Sequence, residues 1–276
     1  AEEHLSNTPR QMAIYEALGW DIPVFGHISL ILGKDYKKMS KRHGATSVDQ
    51  YRQLGYLPDA LVNFLALLGW APEGEQELFS QEELIQQFSM DRVAKNPAVF
   101  DIDKLNWINF NYIKKLSDEE LFKLCLPHLK EVGIAPDSLS PKDIEWLTLL
   151  CVTVRDHISY GAQIKEQVGL FMGDAVFLEE GHEAELKEVL KEETVPTVLA
   201  AFRAKLEAMD TVTPEDVKAS IKAVMKETSL KGKPVFMPLR VALTGQMHGP
   251  DLNNIVTLLG KEKCLHRLDN VKLLLA

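Results

Sequence analysis

Helix-start signals recur along almost the whole of this chain. Ser80 stands three residues before Glu83, and Ser117 three before Glu120. In each pair the serine hydroxyl can accept from the backbone N–H three residues on while the glutamate reaches back, a capping box that fixes a helix N-terminus. Pro58, Pro141 and Pro214 occupy first-turn positions, where proline's fixed φ suits a helix and its missing N–H removes no bond. Apolar spacing and these caps predict helices over 58–68, 81–88, 103–113, 117 onward, 140–158, 213–227, 237–243 and 251–259. A short amphipathic helix over 11–18 is stopped by Gly19, and Leu61, Phe64, Leu65 and Leu68 share one face of the 58–68 helix. Only 22–25 and 28–32 read as extended, ending at Gly33. The expected fold is therefore mainly α, built of helical bundles. A lone strand is not stable by itself, so the extended pieces are expected to be the edge of a sheet in a larger domain begun upstream.

At 276 residues the chain exceeds one ordinary core, and about two domains are expected. Hydrophobic residues at 46% and charged residues at 26% exclude bulk disorder and a collagen-like chain. No apolar run approaches the roughly 18 residues of a spanning helix, and the acidic start Glu2-Glu3-His4 is not a signal peptide. No membrane partner and a cytoplasmic location are therefore expected. Cys125, Cys151 and Cys264 form no CxxC pair and read as free buried thiols, without structural zinc or disulfides. The eight histidines show no ligand spacing with carboxylates, so no metal site is expected.

Charge is unevenly distributed. The net charge is −9, yet residues 1–116 carry −3, 117–194 carry −10 and 195–276 carry +4. Composition thus shifts near Ser117 and again near 193–196, which suggests domain boundaries there. Phosphate contacts act within about 10 Å at 0.1 M salt, so an acidic protein can still hold nucleic acid on a local basic surface. Solvated surface explains the same charges, and charge alone favours that plainer reading.

The sharpest local signal is Lys38-Met39-Ser40-Lys41-Arg42-His43-Gly44, bracketed by Gly33 and Gly44. Two lysines three apart with a serine between them suit a polyphosphate: ammonium groups on long stems follow a moving phosphate, and loop N–H groups can nest an anion. No Gly-x-x-x-x-Gly-Lys pattern is present, so this is not a Walker loop. An exposed basic turn is the alternative, and composition alone favours it.

Context changes that balance. Lys38-Met39-Ser40-Lys41-Arg42 resembles the KMSKS loop of class I aminoacyl-tRNA synthetases. Upstream Glu2-Glu3-His4-Leu5-Ser6-Asn7-Thr8-Pro9, and downstream Gly55-Tyr56-Leu57-Pro58-Asp59, Asn63-Phe64-Leu65-Ala66-Leu67-Leu68-Gly69-Trp70, Val99-Phe100-Asp101 and Lys104-Leu105-Asn106-Trp107, narrow the likeness to bacterial glutamyl-tRNA synthetases. Pro238-Leu239-Arg240-Val241-Ala242-Leu243-Thr244-Gly245 and Gly249-Pro250-Asp251-Leu252 resemble that family's last anticodon-binding domain. The family's HIGH signature has no counterpart; His27-Ile28-Ser29 lacks the glycine and second histidine. The resemblance implies the C-terminal portion of such an enzyme: a catalytic-domain remnant with a small β element over 1–46, a stem-contact helical domain over 47–116, and anticodon-binding helical domains over 117–194 and 195–276.

In the intact family enzyme, glutamate's carboxylate attacks the α-phosphate of ATP, pyrophosphate leaves, and the acyl group passes to tRNA. The resemblance assigns stabilisation of the leaving phosphates to Lys41, helped by Lys38 and Ser40, with Met39 and Glu3 at the ATP site and Mg2+ accompanying ATP. Arg42 is expected to position the loop or touch RNA. Trp107, Arg240 and Leu252 match positions beside the anticodon; the alternatives are a core side chain, an internal ion pair and a helix staple, respectively. Arg155 is a further candidate, as is Lys222 on the basic face Lys218, Lys222 and Lys226, whose spacing puts them on one side of a helix. The implied partners are tRNA(Glu), with tRNA(Gln) a second candidate, and the implied state is a monomer. A helical protein-interaction module that docks through the acidic middle region is the alternative from another class.

Overall fold

The computed structural model describes residues 2–39, 44, 45 and 47–275. The chain divides into two compact units, one of residues 1–116 with 159–162, the other of 117–158 with 163–276. Among the described residues the protein is mainly helical, with a two-stranded sheet.

The first unit opens with a 3-10 turn, Glu2–His4, and α1 (Thr8–Ala17), which buries only Thr8, so the amphipathic face expected there is absent. β1 (Ile31–Leu32) pairs in parallel with β2 (Ala98–Val99), Ile31 opposite Ala98. The extended pieces expected over 22–25 and 28–30 form no strand among the described residues. Pro23 offers no N–H to a ladder, and Val24 is fully exposed. α2 (Val48–Leu54) has no counterpart among the expected helices, although Ser47 and Gln50 form its capping box and Gly55, at φ 82°, ends it. α3 (Pro58–Leu67) and α4 (Gln81–Gln87) lie where first-turn proline and cap predict them, and α5 (Ile102–Ile113) where apolar spacing does. Phe64, Leu105 and Ile108 fill the core between α3 and α5, with Tyr51 and Tyr56 packed against them. Burying each such side chain contributes on the order of 1.5–3 kcal/mol.

Two fully buried asparagines tie this unit together. Asn63 on α3 accepts from Phe79 N (2.8 Å) and Tyr112 Oη (3.0 Å) and donates to Glu77 O (3.0 Å). Asn109 on α5 accepts from Leu57 N (2.8 Å) and donates to Ser159 O (2.6 Å). Residues 159–162 are held further by Gly161 N donating to Gly55 O (3.1 Å) and by Tyr160 stacked on Tyr56 at 4.8 Å.

The second unit is a run of helices: α6 (Asp118–Glu131), α7 (Pro141–Val154), the short α8 (Ile164–Gln167) and α9 (Gly169–Met172), α10 (Glu183–Lys191), α11 (Val195–Glu207), α12 (Pro214–Thr228), α13 (Lys233–Thr244), α14 (Leu252–Asp269) and α15 (Val271–Leu275). α6 and α7 start on the Ser117–Glu120 and Ser140–Asp143 capping boxes. α7 is shorter than expected, tightening into a 3-10 turn over Arg155–His157. The helix expected to stop at 259 instead resumes: Gly260, at φ 75°, breaks α14 and the chain continues to Asp269. Carbonyls exposed by that break find other donors, Leu258 O accepting from Trp146 Nε1 at 3.0 Å. The acidic stretch forms α10, which buries Leu186 and Leu190 and leaves its carboxylates outside. Cys125, Cys151 and Cys264 are free and buried; Cys125 beside Cys151, together with burial, pushes the Cys151 thiol far up.

His128 on α6 is also buried. Burial first, then Lys165, lowers its pKa, against a weaker pull upward from Glu131. A histidine depressed in the folded state stabilises fully above its unfolded value of about 6.5 and loses that contribution as pH falls toward the folded value. The urea midpoint of the second unit is therefore expected to drop between pH 7 and 5.5. His128→Gln should flatten that dependence; an unchanged slope in the variant would exclude His128 as its source.

Candidate functional site

β1 turns back on itself directly after Leu32. Gly33 N donates to Lys37 O (2.8 Å), Tyr36 N to Gly33 O (2.9 Å), and Leu32 bridges to Lys38. This tight hairpin presents Lys38 and Met39. Lys38 pairs with Glu3, whose carboxyl it holds below the usual range. Met39 is half-buried, its N–H directed to Ile31 O (3.4 Å), and lines an apolar pocket of about 300 Å3 with Tyr51, Leu61 and Phe100. Ser40, Lys41 and Arg42 lie outside the described residues. Lys34, which the sequence did not single out, pairs with Asp103 (2.5 Å) and Asp101 (3.1 Å); Asp101 is also the N-cap of α5. The two aspartates, Asp103 foremost, raise the Lys34 pKa. The hairpin is thus tied to the helix start through both the sheet and this ion pair. Trp107 lies on α5 and is 44% exposed, leaving much of its ring available to a partner.

The second constellation gathers at the ends of α13 and α14. Arg240 is half-buried on α13. Its Nη2 donates to Pro250 O (2.9 Å), while Nη1 is buried and unpartnered among the described residues. Burial lowers its pKa, opposed by the nearby Asp251. Gly249 lies against the same guanidinium: a Cβ there would sit 3.4 Å from Nη1. A buried guanidinium donor without a partner is costly, on the order of 1–3 kcal/mol, unless an acceptor arrives. Leu252 opens α14 but is only 3% exposed, so its side chain belongs to the core. Arg155 donates to Asp118 Oδ1 (2.6 Å). Next to it, Val154 lines a pocket of about 210 Å3 with Thr244, Gln246, Pro250 and Arg267.

Lys218, Lys222 and Lys226 are exposed along one face of α12, with no ion pair among the described residues. The structure therefore brings together Glu3 with Lys38, and Arg240 with the 249–252 turn. No helix among the described residues is long and apolar enough to cross a membrane.

Residues 1–107 match the model of the class I tRNA synthetase (E and Q) catalytic domain, and residues 120–272 that of the anticodon binding domain. A glutamate--tRNA ligase of Desulforamulus reducens is 55% identical over 269 residues, covering 98% of this chain and 55% of that protein. The Bacillus subtilis glutamate--tRNA ligase is 49% identical over 272 residues, with 98% and 56% covered. The chain thus spans about half the length of the curated relatives it matches. A crystal structure of a glutamate tRNA ligase from Elizabethkingia meningosepticum in complex with its amino acid superposes with TM-score 0.77 at 27% identity, covering 98% of this chain and 55% of that one.

Proposed function

The chain belongs to the glutamate--tRNA ligase family of class I aminoacyl-tRNA synthetases, and from that premise we propose that it is the tRNA-gripping part of an enzyme that joins glutamate to tRNA(Glu) with ATP. The observation that carries the reading is Arg240, a half-buried guanidinium with an open donor beside the 249–252 turn, within the residues that match the anticodon binding domain. RNA sequence is read on splayed loop bases by stacking and by contacts to base edges, and an arginine with a free donor can do both. Trp107 and Arg155 are secondary candidates for RNA contact, and Lys222 with its neighbours supplies positive charge for the phosphate backbone. Leu252 contributes as a packed residue under the turn. We place the stem-contact region at 47–116 and two anticodon-binding subdomains at 117–194 and 195–276, acting as a monomer in the cytoplasm; tRNA(Gln) is a second candidate substrate.

We assign Lys38, Ser40 and Lys41 to the phosphates of ATP, which Mg2+ accompanies, and Met39 and Glu3 to the nucleotide, with Arg42 to position the loop or contact RNA. Phosphate binding then requires Lys38 to exchange Glu3 for the nucleotide. The 276 residues themselves are expected to bind tRNA without charging it, because they supply one side of the ATP site.

Filter binding of a tRNA(Glu) transcript across a salt series tests the reading. Log K should fall with log salt with a slope of several units. Arg240→Ala should weaken binding about 10- to 100-fold, the 1–3 kcal/mol of a base contact, and only for the cognate anticodon. Affinity indifferent to salt, anticodon and Arg240→Ala would instead favour a helical protein-interaction module.

A further inference from the structure

Two side chains one turn apart on α14 take the carbonyls that α9 leaves open. Lys263 Nζ donates to Phe171 O (2.8 Å) and Met172 O (3.2 Å). Arg267 Nη2 donates to Leu170 O (2.8 Å) and Gly173 O (2.6 Å). The last carbonyls of a helix lack intrahelical partners and favour a cation. Arg267 goes further, since its Nη1 donates to Leu243 O (2.6 Å), in the last turn of α13. It is 3% exposed and makes no ion pair among the described residues, although the Asp174 carboxylate is near enough to favour its charge against burial. One planar fork therefore clamps the ends of two helices at once, which a single ammonium cannot reproduce.

The same joint is closed from the other side by backbone. Glu179 N donates to Gly245 O (2.9 Å), and a Cβ on Gly245 would lie 2.0 Å from Phe177 O. From the joint, short contacts lead to Arg240. Thr244 Oγ1 donates to Arg240 O (2.7 Å) and accepts from Gln246 N (3.1 Å), and Pro250 O closes the loop on the Arg240 guanidinium. We propose that Arg267 is a positioning residue for anticodon reading: by fixing the end of α13 against residues 170–178, it sets where Arg240 and the 245–251 loop stand. This rests on the tRNA reading above for its consequence, though not for its geometry.

Hydrogen exchange on the whole chain tests the geometry. Arg267→Lys keeps the charge but cannot hold both helix ends, so amides over 243–251 should exchange about tenfold faster while those of α11 and α12 stay unchanged. Lys263→Met should loosen 170–173 alone. The consequence is read with two transcripts, tRNA(Glu) and the same RNA with its three anticodon bases replaced. In Arg267→Lys the ratio of the two Kd values should fall about tenfold, with affinity for the replaced-anticodon RNA within about twofold of the parent. Lys263→Met should leave that ratio intact. Gly245→Ala opens the joint without touching the guanidinium and should lower the ratio likewise, which keeps the test decisive if Arg267→Lys fails to fold. Unchanged exchange over 243–251, or equal weakening toward both RNAs, would overturn the proposal. A parent chain that cannot tell the two RNAs apart would defeat the tRNA reading, while the exchange data would still decide whether Arg267 fixes the loop.

Discussion

Replacing Asn63 with leucine should lower the stability of the first unit by about 2–4 kcal/mol, although the side chain touches no candidate site. Three partners converge on this one amide: the Phe79 N–H, the Glu77 carbonyl and the Tyr112 hydroxyl. Tyr112 can give its single hydroxyl proton to Phe79 O instead, and Glu77 lies near solvent. The Phe79 N–H has neither recourse, because Phe79 is 1% exposed, and an orphaned buried donor carries its full desolvation penalty. Tyr112→Phe removes one hydroxyl donor, shared between Asn63 Oδ1 and Phe79 O, and should cost about 1 kcal/mol, within the usual range for one hydrogen bond. Urea unfolding followed by intrinsic fluorescence reads both values. A loss below about 1 kcal/mol for Asn63→Leu would mean that water reaches Phe79 N in the variant.

On the proposed function, Lys41→Ala in the full-length synthetase should lower kcat for adenylate formation by about 10²–10³-fold, the scale of removing one preorganised charge stabiliser, roughly 3–4 kcal/mol of barrier. The ammonium acts on charge that grows as pyrophosphate leaves. It should therefore matter far more to the transition state than to either substrate in its ground state. Binding of tRNA, measured separately, should change by less than about threefold, since one surface cation supplies little of a multi-phosphate contact. Pyrophosphate exchange reads the first quantity and filter binding the second; equal losses in both would reject the assignment.

Much of the helical framework was legible because its signals are local. Ser80 with Glu83, Ser117 with Glu120 and Thr213 before Pro214 mark helix starts within four residues, and each cap is made. What could not be read depends on distant partners. The pairing of Ile31 with Ala98 joins residues 67 positions apart, and neither strand exceeds two residues. The expected helix end at 259 is half right: Gly260 breaks the helix, which then resumes, and the freed Leu258 carbonyl is taken by Trp146, 112 residues away in sequence. At the sites the motif marked Lys38 and Arg240, but not that Lys38 faces Glu3, nor that Lys34 clasps Asp101 and Asp103. Arg267 in the last turn of α14 looks like any cation complementing a helix end, and nothing in its neighbours announces three carbonyls from elsewhere in the chain.

The Ser159–Ala162 stretch carries a consequence for biosynthesis. Tyr160 completes an aromatic stack on Tyr56, and Ser159 satisfies Asn109, so the leading body gains its last wedge only after 42 intervening residues have been made. A ribosome that has released Leu116 has exposed a body still missing that wedge. Its stable closure should wait until Ala162 clears the exit tunnel, so that ribosome-bound chains stalled shortly before that point remain open to protease while those stalled well after it resist.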